Sequence, residues 1–304
     1  MNERVLPLDT NSILRNILGR VVPGKVTDQN DKNYYVQIDG ITFELNKAEI
    51  KKPMHNGSQF KGFTYVNVSH KLQITRQVPN VQVDHYDFGT VVSSKYDLGV
   101  FVDIGLPNKD IAVSKDELPL IHSLWPKRGD KLMISLITDK KHRIWGHLAD
   151  EDIYRTIALP GDQQMMNNNV KAVVFRVMKA GTKVMTNHFH LGFIHPTQRD
   201  VEPRLGEQIK ARVIGIHHDG TFNFSMRPRA YEAIDGDALM LLAMLQHDPT
   251  HHLNFTDKSD PEKIKTFFGI SKGRFKRGVG HLLKNDLIKE TDQGLDVTSK
   301  GHAT

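Results

Sequence analysis

Apolar and polar residues alternate in short runs over the first three quarters of the chain, for example at 34–38, 99–104 and 209–213. A period of two residues is typical of β-strands that bury one face. Asp39-Gly40 and Asp219-Gly220 are dipeptides that favour tight hairpin turns. Strands this short and this closely spaced predict barrels or sandwiches.

A unit of about five such strands recurs three times, with a period of roughly 70 to 80 residues. The second and third copies, at 89–148 and 170–226, are the clearest, and the first, at 24–74, is weaker. Each copy has a glycine-led turn before its fourth strand. Five strands in one unit predict an OB fold, a Greek-key barrel that binds oligonucleotides on the face of strands two and three. We place the three barrels at 1–78, 79–149 and 150–228.

After residue 228 the pattern changes to helices. The stretch 237–245 consists of strong helix formers, and Asp260-Pro261 is a typical start for a second helix, which we expect to end at Gly269. Ser271 is placed to cap a third helix that runs to about residue 285, and 287–298 reads as a hairpin. Three helices and a hairpin predict a winged helix at 229–304. The fold class is therefore mainly β with a helical C-terminus: three tandem OB barrels of five strands each, then a winged helix.

Composition narrows the classes of function. The 304 residues contain 41 Lys and Arg against 35 Asp and Glu, a net charge of +6 that suits a polyanionic partner. There is no cysteine, which excludes disulfides and thiolate metal sites. The chain contains no run of about 18 apolar residues, so we expect no membrane span, and its first residues are not typical of a secretory leader. We expect a cytoplasmic protein without membrane contact.

Two segments of the third copy carry a resemblance to a known repeat. They read LGFIHPTQ at 191–198 and LGEQIKARVIGIHHDGTFNFSM at 205–226, and they resemble the RNA-binding repeat of ribosomal protein S-one. The second copy departs from that repeat, because Val113-Ser114 stands where an apolar residue and a histidine are expected, and the first copy also lacks the histidine.

Three such barrels followed by a winged helix resemble, over essentially the whole chain, the conserved virulence factor B family of Gram-positive bacteria. This resemblance implies an RNA-binding regulator that acts on gene expression after transcription.

Single-stranded RNA is bound by aromatic side chains that stack on bases and by Lys and Arg that follow the phosphates. In each barrel the candidates are therefore aromatic and basic side chains that share a face. Phe63 and Tyr65 of the first copy cannot be told from core residues, and a core position also competes for Phe193 and Trp145. The candidates are Phe101, Lys131 and Trp145 in the second copy, and His188, Phe193, His195, Lys210 and Arg212 in the third.

The third predicted helix of the C-terminal region is strongly basic. Between 263 and 289 there are eight Lys and Arg against one acid. Its candidate nucleic-acid contacts are Lys272, Arg274, Lys276 and Arg277. The competing interpretation is a basic face that docks on acidic residues of its own chain.

Signals for catalysis are weak. The chain has no H-E-x-x-H, phosphate-loop, G-x-S-x-G or Rossmann glycine motif, so we expect neither an enzyme nor a cofactor. His188, His190 and His195 make a metal-dependent hydrolase a minor hypothesis. Two functions compete more strongly with RNA binding: a DNA-binding regulator that uses the winged helix, and a protein-interaction scaffold that contacts the ribosome or the transcription machinery.

Overall fold

The computed structural model describes residues 10–227 and 235–302. The chain divides into two compact units, Met1–Met226 and Arg227–Thr304. Within the described residues the first unit contains three closed five-stranded barrels, and the second contains a small three-stranded sheet with helices. No helix in these described ranges is long and apolar enough to cross a membrane.

Each barrel is built from consecutive strands. The first consists of β1 (Val21–Gln29), β2 (Asn33–Ile38), β3 (Ile41–Asn46), β4 (Gln59–Val66) and β5 (Leu72–Thr75). The second consists of β6 (Asp87–Lys95), β7 (Gly99–Asp103), β8 (Ile111–Ser114), β9 (Lys131–Thr138) and β10 (Ile144–Leu148). The third consists of β11 (Asn169–Met178), β12 (Gly181–Thr186), β13 (Leu191–Ile194), β14 (Gln208–Ile216) and β15 (Phe222–Ser225). Two short helices, α1 (Thr10–Ile17) and α2 (Glu151–Ile157), precede the first and third barrels.

All three barrels have the same topology. In each, the strands are hydrogen-bonded in the cyclic order one, two, three, five, four, with strands three and five parallel and all other pairs antiparallel. The first strand of each barrel is interrupted by a bulge at the same place: between Val26 and Asp28, between Val91 and Ser93, and between Val174 and Arg176. The predicted OB barrels are thus confirmed, and they are fully closed.

The predicted glycine-led turn joins strand four to this bulge. In every barrel a glycine of positive φ donates its N–H to the last first-strand carbonyl before the bulge. The pairs are Gly57 with Val26 at 2.7 Å, Gly129 with Val91 at 2.8 Å and Gly206 with Val174 at 2.8 Å. A second hydrogen bond runs the other way, because the N–H of each of these valines donates to the carbonyl oxygen of the residue after the glycine. This pair of hydrogen bonds fixes where the fourth strand begins.

The alternation of apolar residues decides which side chains fill the barrels. Val100 and Val102 of β7 are fully buried, whereas Phe101 between them is only half-buried on the outer surface. Phe63 and Tyr65 belong to the core. The first two barrels share one continuous hydrophobic core, and the interior of the third forms a separate cluster.

The C-terminal unit is a winged helix, as predicted. Its helices are α3 (Asp235–His247), α4 (Pro261–Phe268), α5 (Lys272–Lys284) and the short α6 (Ser299–His302), and its strands are β16 (His252–Leu253), β17 (Ile288–Thr291) and β18 (Gly294–Val297). Asp260 caps α4 by accepting from two backbone N–H groups, Gly269 ends it in the left-handed conformation, and Ser271 caps α5.

Local sequence signals missed α1, α2, β16 and α6, which range from two to eight residues. Elements this short are stabilised mainly by tertiary packing, and they leave little periodic pattern. In α1, for instance, Ile17 is buried and Ile13 and Leu14 pack against the core of the first two barrels.

The close approach of β7 and β8 depends on Gly99, which opens β7. Its φ is +138°, and a Cβ at this position would lie 2.0 Å from the Val113 carbonyl oxygen. Gly105, just after β7, also has a positive φ, +89°, but a Cβ there would meet nothing within 4 Å.

We therefore expect Gly105→Ala to cost about 1 kcal/mol through backbone strain alone, and Gly99→Ala to cost about 1–3 kcal/mol more because the clash is with backbone. Urea denaturation followed by tryptophan fluorescence measures the free energy of unfolding of each variant. Trp125 and Trp145, the two tryptophans of the chain, both lie in the second-barrel region and report on its unfolding. Equal costs at the two positions would contradict the steric argument.

Candidate nucleic-acid interface

The shared register places one outward-facing residue of each strand at the same level, and we call this set the cross-strand row of a barrel. In the second barrel, Ser93 of β6 opposes Phe101, which opposes Ala112 of β8. Ala112 in turn lies beside Trp145 of β10, and Trp145 opposes Ile137 of β9. The row therefore carries two aromatic rings with a single methyl group between them.

Each ring of this row has a cation beside it. The Lys95 ammonium nitrogen lies 5.6 Å from the centre of the Phe101 ring, and the Arg143 guanidinium carbon lies 5.2 Å from the Trp145 ring. Both rings are half-buried, so part of each remains open to solvent. An open ring next to a cation is the combination that holds a base and its phosphate.

Asp139 fixes the position of Trp145 and Arg143. Its carboxylate accepts from the Arg143 Nε at 2.7 Å and from the Trp145 Nε1 at 3.2 Å. Burial opposes ionisation of this carboxyl, but the hydrogen bonds from Arg143, Trp145 and Lys141 outweigh it and lower the pKa of Asp139 to about 2. The loop from 139 to 143 also exposes Lys140 and Lys141, so it is basic where it borders the row.

The cross-strand row of the third barrel is built differently. It runs from Arg176 of β11 to Lys183 of β12, Phe193 of β13 and Asn223 of β15. Phe193 is half-buried on the outer surface, and its ring lies over Gly181, where a Cβ would come within 2.2 Å of it. Lys183 occupies the register position of Phe101. This row therefore offers one ring and two cations.

The row of the first barrel is acidic and partly covered. It runs from Tyr35 to Glu44 and Gln73. Gln73 is buried and accepts a hydrogen bond from the Nδ2 of Asn108, in the loop between β7 and β8 of the second barrel, at 2.9 Å. Lys109 of the same loop donates to the Val66 carbonyl. The carboxylate of Glu44 is paired with the Lys71 Nζ at 3.1 Å, so a phosphate would meet an ion pair and a neighbouring loop here, and this row is poorly suited to RNA.

The structure brings together Phe101 and Trp145 of the predicted set, but not Lys131. Lys131 opposes Thr90, on another level of the barrel, and its Nζ donates to the Thr90 Oγ1 at 2.6 Å. Its backbone N–H donates to the Gly206 carbonyl at 2.8 Å, which places it where the second and third barrels meet. Lys131 is therefore not on the level of the two rings, which residue spacing alone does not show, and its contact with RNA stays a prediction.

His195 has a local structural role. It follows β13 directly, and its Nδ1 accepts the Thr197 backbone N–H at 3.3 Å, which caps a 3₁₀ turn. Asn46 and Ser114 cap the same turn in the first and second barrels. Asn and Ser are good capping residues, so this explains how the other copies manage without the histidine. The His195 ring is also exposed next to Phe193 along the chain.

The remaining predicted residues of the third barrel lie on two further surfaces. Lys210 is exposed and opposes Lys171 of β11, and Arg212 pairs with Asn169 and Ser225. These two cations are therefore on the β11–β14 wall rather than on the level of Phe193. His188 is exposed in the turn between β12 and β13.

The three histidines do not converge on a metal site. His190 contacts the Leu159 carbonyl through its Nδ1 at 3.0 Å and packs edge-on against Phe222, while His188 and His195 lie at opposite ends of β13. In the part of the chain that the structure describes, no group of three His, Asp or Glu residues is placed to hold a metal ion.

On α5, two of the four predicted cations are paired within the C-terminal unit. Arg274 makes a two-pronged contact with the carboxylate of Asp237, at 2.7 and 2.5 Å, and Lys276 lies 3.3 Å from a carboxylate oxygen of Asp257. The hydrogen bond from Arg274 is the main cause that lowers the pKa of Asp237. These two ion pairs agree with the competing interpretation, docking on acids of the same chain, and contact of Arg274 and Lys276 with nucleic acid stays a prediction.

The face of α5 that points away from the core carries a different set. The core side is formed by Phe275, Gly278, Val279 and Leu282. Helical spacing puts Gly273, Arg277, Gly280 and Lys284 on the opposite side, and all four are exposed. Lys272 is half-buried beside this stripe. Lys284 is one of the eight basic residues of this region but was not among the predicted contacts. Its i, i+4, i+7, i+11 spacing with Gly273, Arg277 and Gly280 could have shown that it lies on this exposed face.

Four family models match this chain. An S1 domain matches residues 18–77, the CvfB first S1-like domain 86–147, the second domain of the virulence regulatory factor CvfB 154–228, and the CvfB-like winged helix domain 239–296. None of these descriptions is that of an enzyme. The chain thus combines S1-like barrels with a winged helix, both of them nucleic-acid-binding folds.

Similar proteins cover nearly the whole chain. Conserved virulence factor B of Staphylococcus epidermidis (strain ATCC 12228) and that of Staphylococcus aureus (strain MRSA252) are each 34% identical over 267 residues, which is 86% of this chain and 88% of the relative. A crystal structure of a multidomain protein with nucleic acid binding domains from Streptococcus pneumoniae TIGR4 is 42% identical, with a TM-score of 0.68 over 93% of this chain and 99% of that one. On this identity and coverage, the chain belongs to the conserved virulence factor B family.

Proposed function

We propose that this chain is a cytoplasmic protein that binds single-stranded RNA, regulates gene expression after transcription, and acts by binding rather than by catalysis. The observation that carries the proposal is the cross-strand row of the second barrel. Phe101 and Trp145 lie there on the outer surface, each with a cation within 6 Å of its ring.

This geometry favours a single strand over a duplex. Stacking on a flat ring needs an unpaired base whose face is free, and a duplex hides its base faces. The two rings are separated by two strand spacings, about 10 Å, so each is available to a separate base. The choice of RNA over single-stranded DNA rests on the resemblance of the third barrel to the S1 repeat.

The third barrel is proposed as a second and weaker surface. It has one ring in its row, Phe193, with His195 exposed beyond it and His188 in the neighbouring turn; Lys210 and Arg212 add charge on the adjoining wall. Two weak surfaces in one chain gain affinity, because the second contact becomes intramolecular once the first is made.

We expect Phe101→Ala and Trp145→Ala each to weaken binding of a labelled oligouridylate about tenfold, since one stacked base contributes about 1–3 kcal/mol. Tyr35→Ala is the matched control, because Tyr35 has the register position of Phe101 in the first barrel, beside Glu44. Fluorescence anisotropy titration measures the three affinities, and wild-type affinity should fall steeply with salt.

Equal loss in Tyr35→Ala would contradict the assignment of the site to the second barrel. A wild-type protein that binds neither RNA nor DNA would instead favour a scaffold that contacts proteins of the ribosome or the transcription machinery.

A second candidate function, binding of duplex DNA by the winged helix, is favoured by the exposed stripe of α5. Arg277 and Lys284 lie on it with Gly273 and Gly280, and a Cβ at Gly280 would meet nothing within 4 Å. A helix face with cations and without bulky side chains can approach a phosphate backbone closely.

If α5 binds a duplex, Arg277→Ala/Lys284→Ala should reduce the slope of log affinity against log salt by about 1.8, since each phosphate contact contributes about 0.9. Lys258→Ala/Lys263→Ala removes the same charge from exposed positions outside α5 and serves as the control. Fluorescence anisotropy titration of a labelled DNA duplex at several salt concentrations provides the measurement, and equal effects of the two double variants would overturn this role for α5.

A further inference from the structure

The cations in the third barrel's cross-strand row are held by an internal carboxylate. Glu151, the first residue of α2, accepts from the Lys183 Nζ at 2.5 Å, from the Arg176 Nη1 at 3.2 Å and from the Arg155 Nη2 at 2.6 Å. Its side chain is 17% exposed, whereas those of Arg155 and Arg176 remain 57% and 54% exposed. Three cations therefore surround one carboxylate and still face solvent.

Glu151 is held there by the anchoring of its helix. Tyr154, three residues later, is buried, and its ring stacks on Phe175 of β11 with 4.0 Å between ring centres. Asp150 caps the helix by accepting the Ile153 N–H at 3.0 Å. The Tyr154–Phe175 stack thus joins α2 to the barrel through side chains that take no part in the ion cluster. The carboxylate can therefore leave the cations while the helix stays in place.

The electrostatics of the cluster suit a monovalent oxyanion. The hydrogen bond from Lys183 is the largest influence on Glu151, and with those from Arg155 it outweighs burial and lowers the pKa of Glu151 to about 2. The group is therefore a carboxylate at neutral pH. A phosphodiester carries the same single charge on two oxygens, and guanidinium and ammonium groups bind both kinds of anion through the same contacts.

We propose that Arg155, Arg176 and Lys183 form a phosphate-binding subsite of the third barrel, and that the carboxylate of Glu151 occupies it in the free protein. This inference rests on the proposed function, because the phosphate is that of a bound RNA strand. Lys183 opposes Phe193 in the register, so a base stacked on Phe193 brings its phosphate next to the subsite.

The surroundings of the subsite leave room for a strand. A cleft of about 460 Å³ borders it, lined by Glu151, Phe175 and Arg176 together with Leu118 of the second barrel's loop and Leu205. In the second barrel, the uncharged Ser93 and Phe101 take the register positions of Arg176 and Lys183. RNA would thus bind the second barrel directly, and would have to displace Glu151 to engage the third.

Removing the competing carboxylate tests the inference. We expect Glu151→Gln to tighten binding of labelled oligouridylate about fivefold or more, the lower end of typical coupling between two ligands. The slope of log affinity against log salt should rise by about 0.7 to 1.4, for one or two additional phosphate contacts on a single strand. In the Glu151→Gln background, Lys183→Met should abolish both gains.

Asp152→Asn is the matched control. Asp152 is the next residue of the same helix, is exposed, and loses the same charge. A general electrostatic effect would strengthen binding equally in both variants. If Glu151→Gln is too unstable at the assay temperature, Glu151→Asp replaces it; this variant keeps the charge but shortens the reach, and we expect an intermediate gain.

The outcomes separate the inference from the proposed function. Wild-type binding that depends on Phe101 and Trp145, with Glu151→Gln no tighter than Asp152→Asn, would overturn the phosphate subsite and leave the proposed function standing. If neither the wild type nor Glu151→Gln binds RNA, both proposals fail. A structural role of Glu151 alone predicts lower stability in Glu151→Gln with no gain in affinity.

Discussion

The hydrogen bonds between the glycine turn and the bulged first strand determine the geometry of the outer surface of every barrel. They join strand four to strand one at the same place in all three barrels, and the parallel pairing of strands three and five completes the ring. A closed ring has no free edge, so its register cannot slip without turning buried side chains outward. The same register positions therefore face outward in every barrel, whatever residues occupy them.

Because the backbone fixes that register, the chemistry of each row depends on which residues occupy it and on what covers it. The first carries Tyr35 with Glu44 and the covered Gln73, and the second carries Phe101 and Trp145. The third combines Lys183 with Phe193. One fold repeated three times thus gives three different rows. The first contains a carboxylate, the second is aromatic and open to solvent, and the third combines a ring with cations that contact the carboxylate of Glu151.

The sequence predicts those properties that follow from neighbouring residues. Alternation located the strands and showed that Phe101 faces outward if its flanking valines face inward, and the capping residues located α4 and α5. Neither of these signals could show contacts between residues that are distant in the sequence. Arg274 meets Asp237, 37 positions away, and Lys183 meets Glu151, 32 positions away. The level of Lys131 could not be predicted for the same reason, since it depends on pairing with β6. His195 was predicted from its residue type, whereas its capping role could be seen only from the geometry of the turn.

These internal ion pairs change how a count of basic residues should be interpreted. A cation that is free in the unbound protein adds its full effect to RNA binding, because a phosphate is neutralised and a counterion is released. In the proposed exchange of Glu151 for a phosphate at Lys183, the vacated carboxylate would take up a cation from solution, which would cancel much of that gain. The net charge of +6 therefore says little about affinity. More informative are exposed cations outside the ion pairs described above, such as Lys140 and Lys141 in the loop before Trp145.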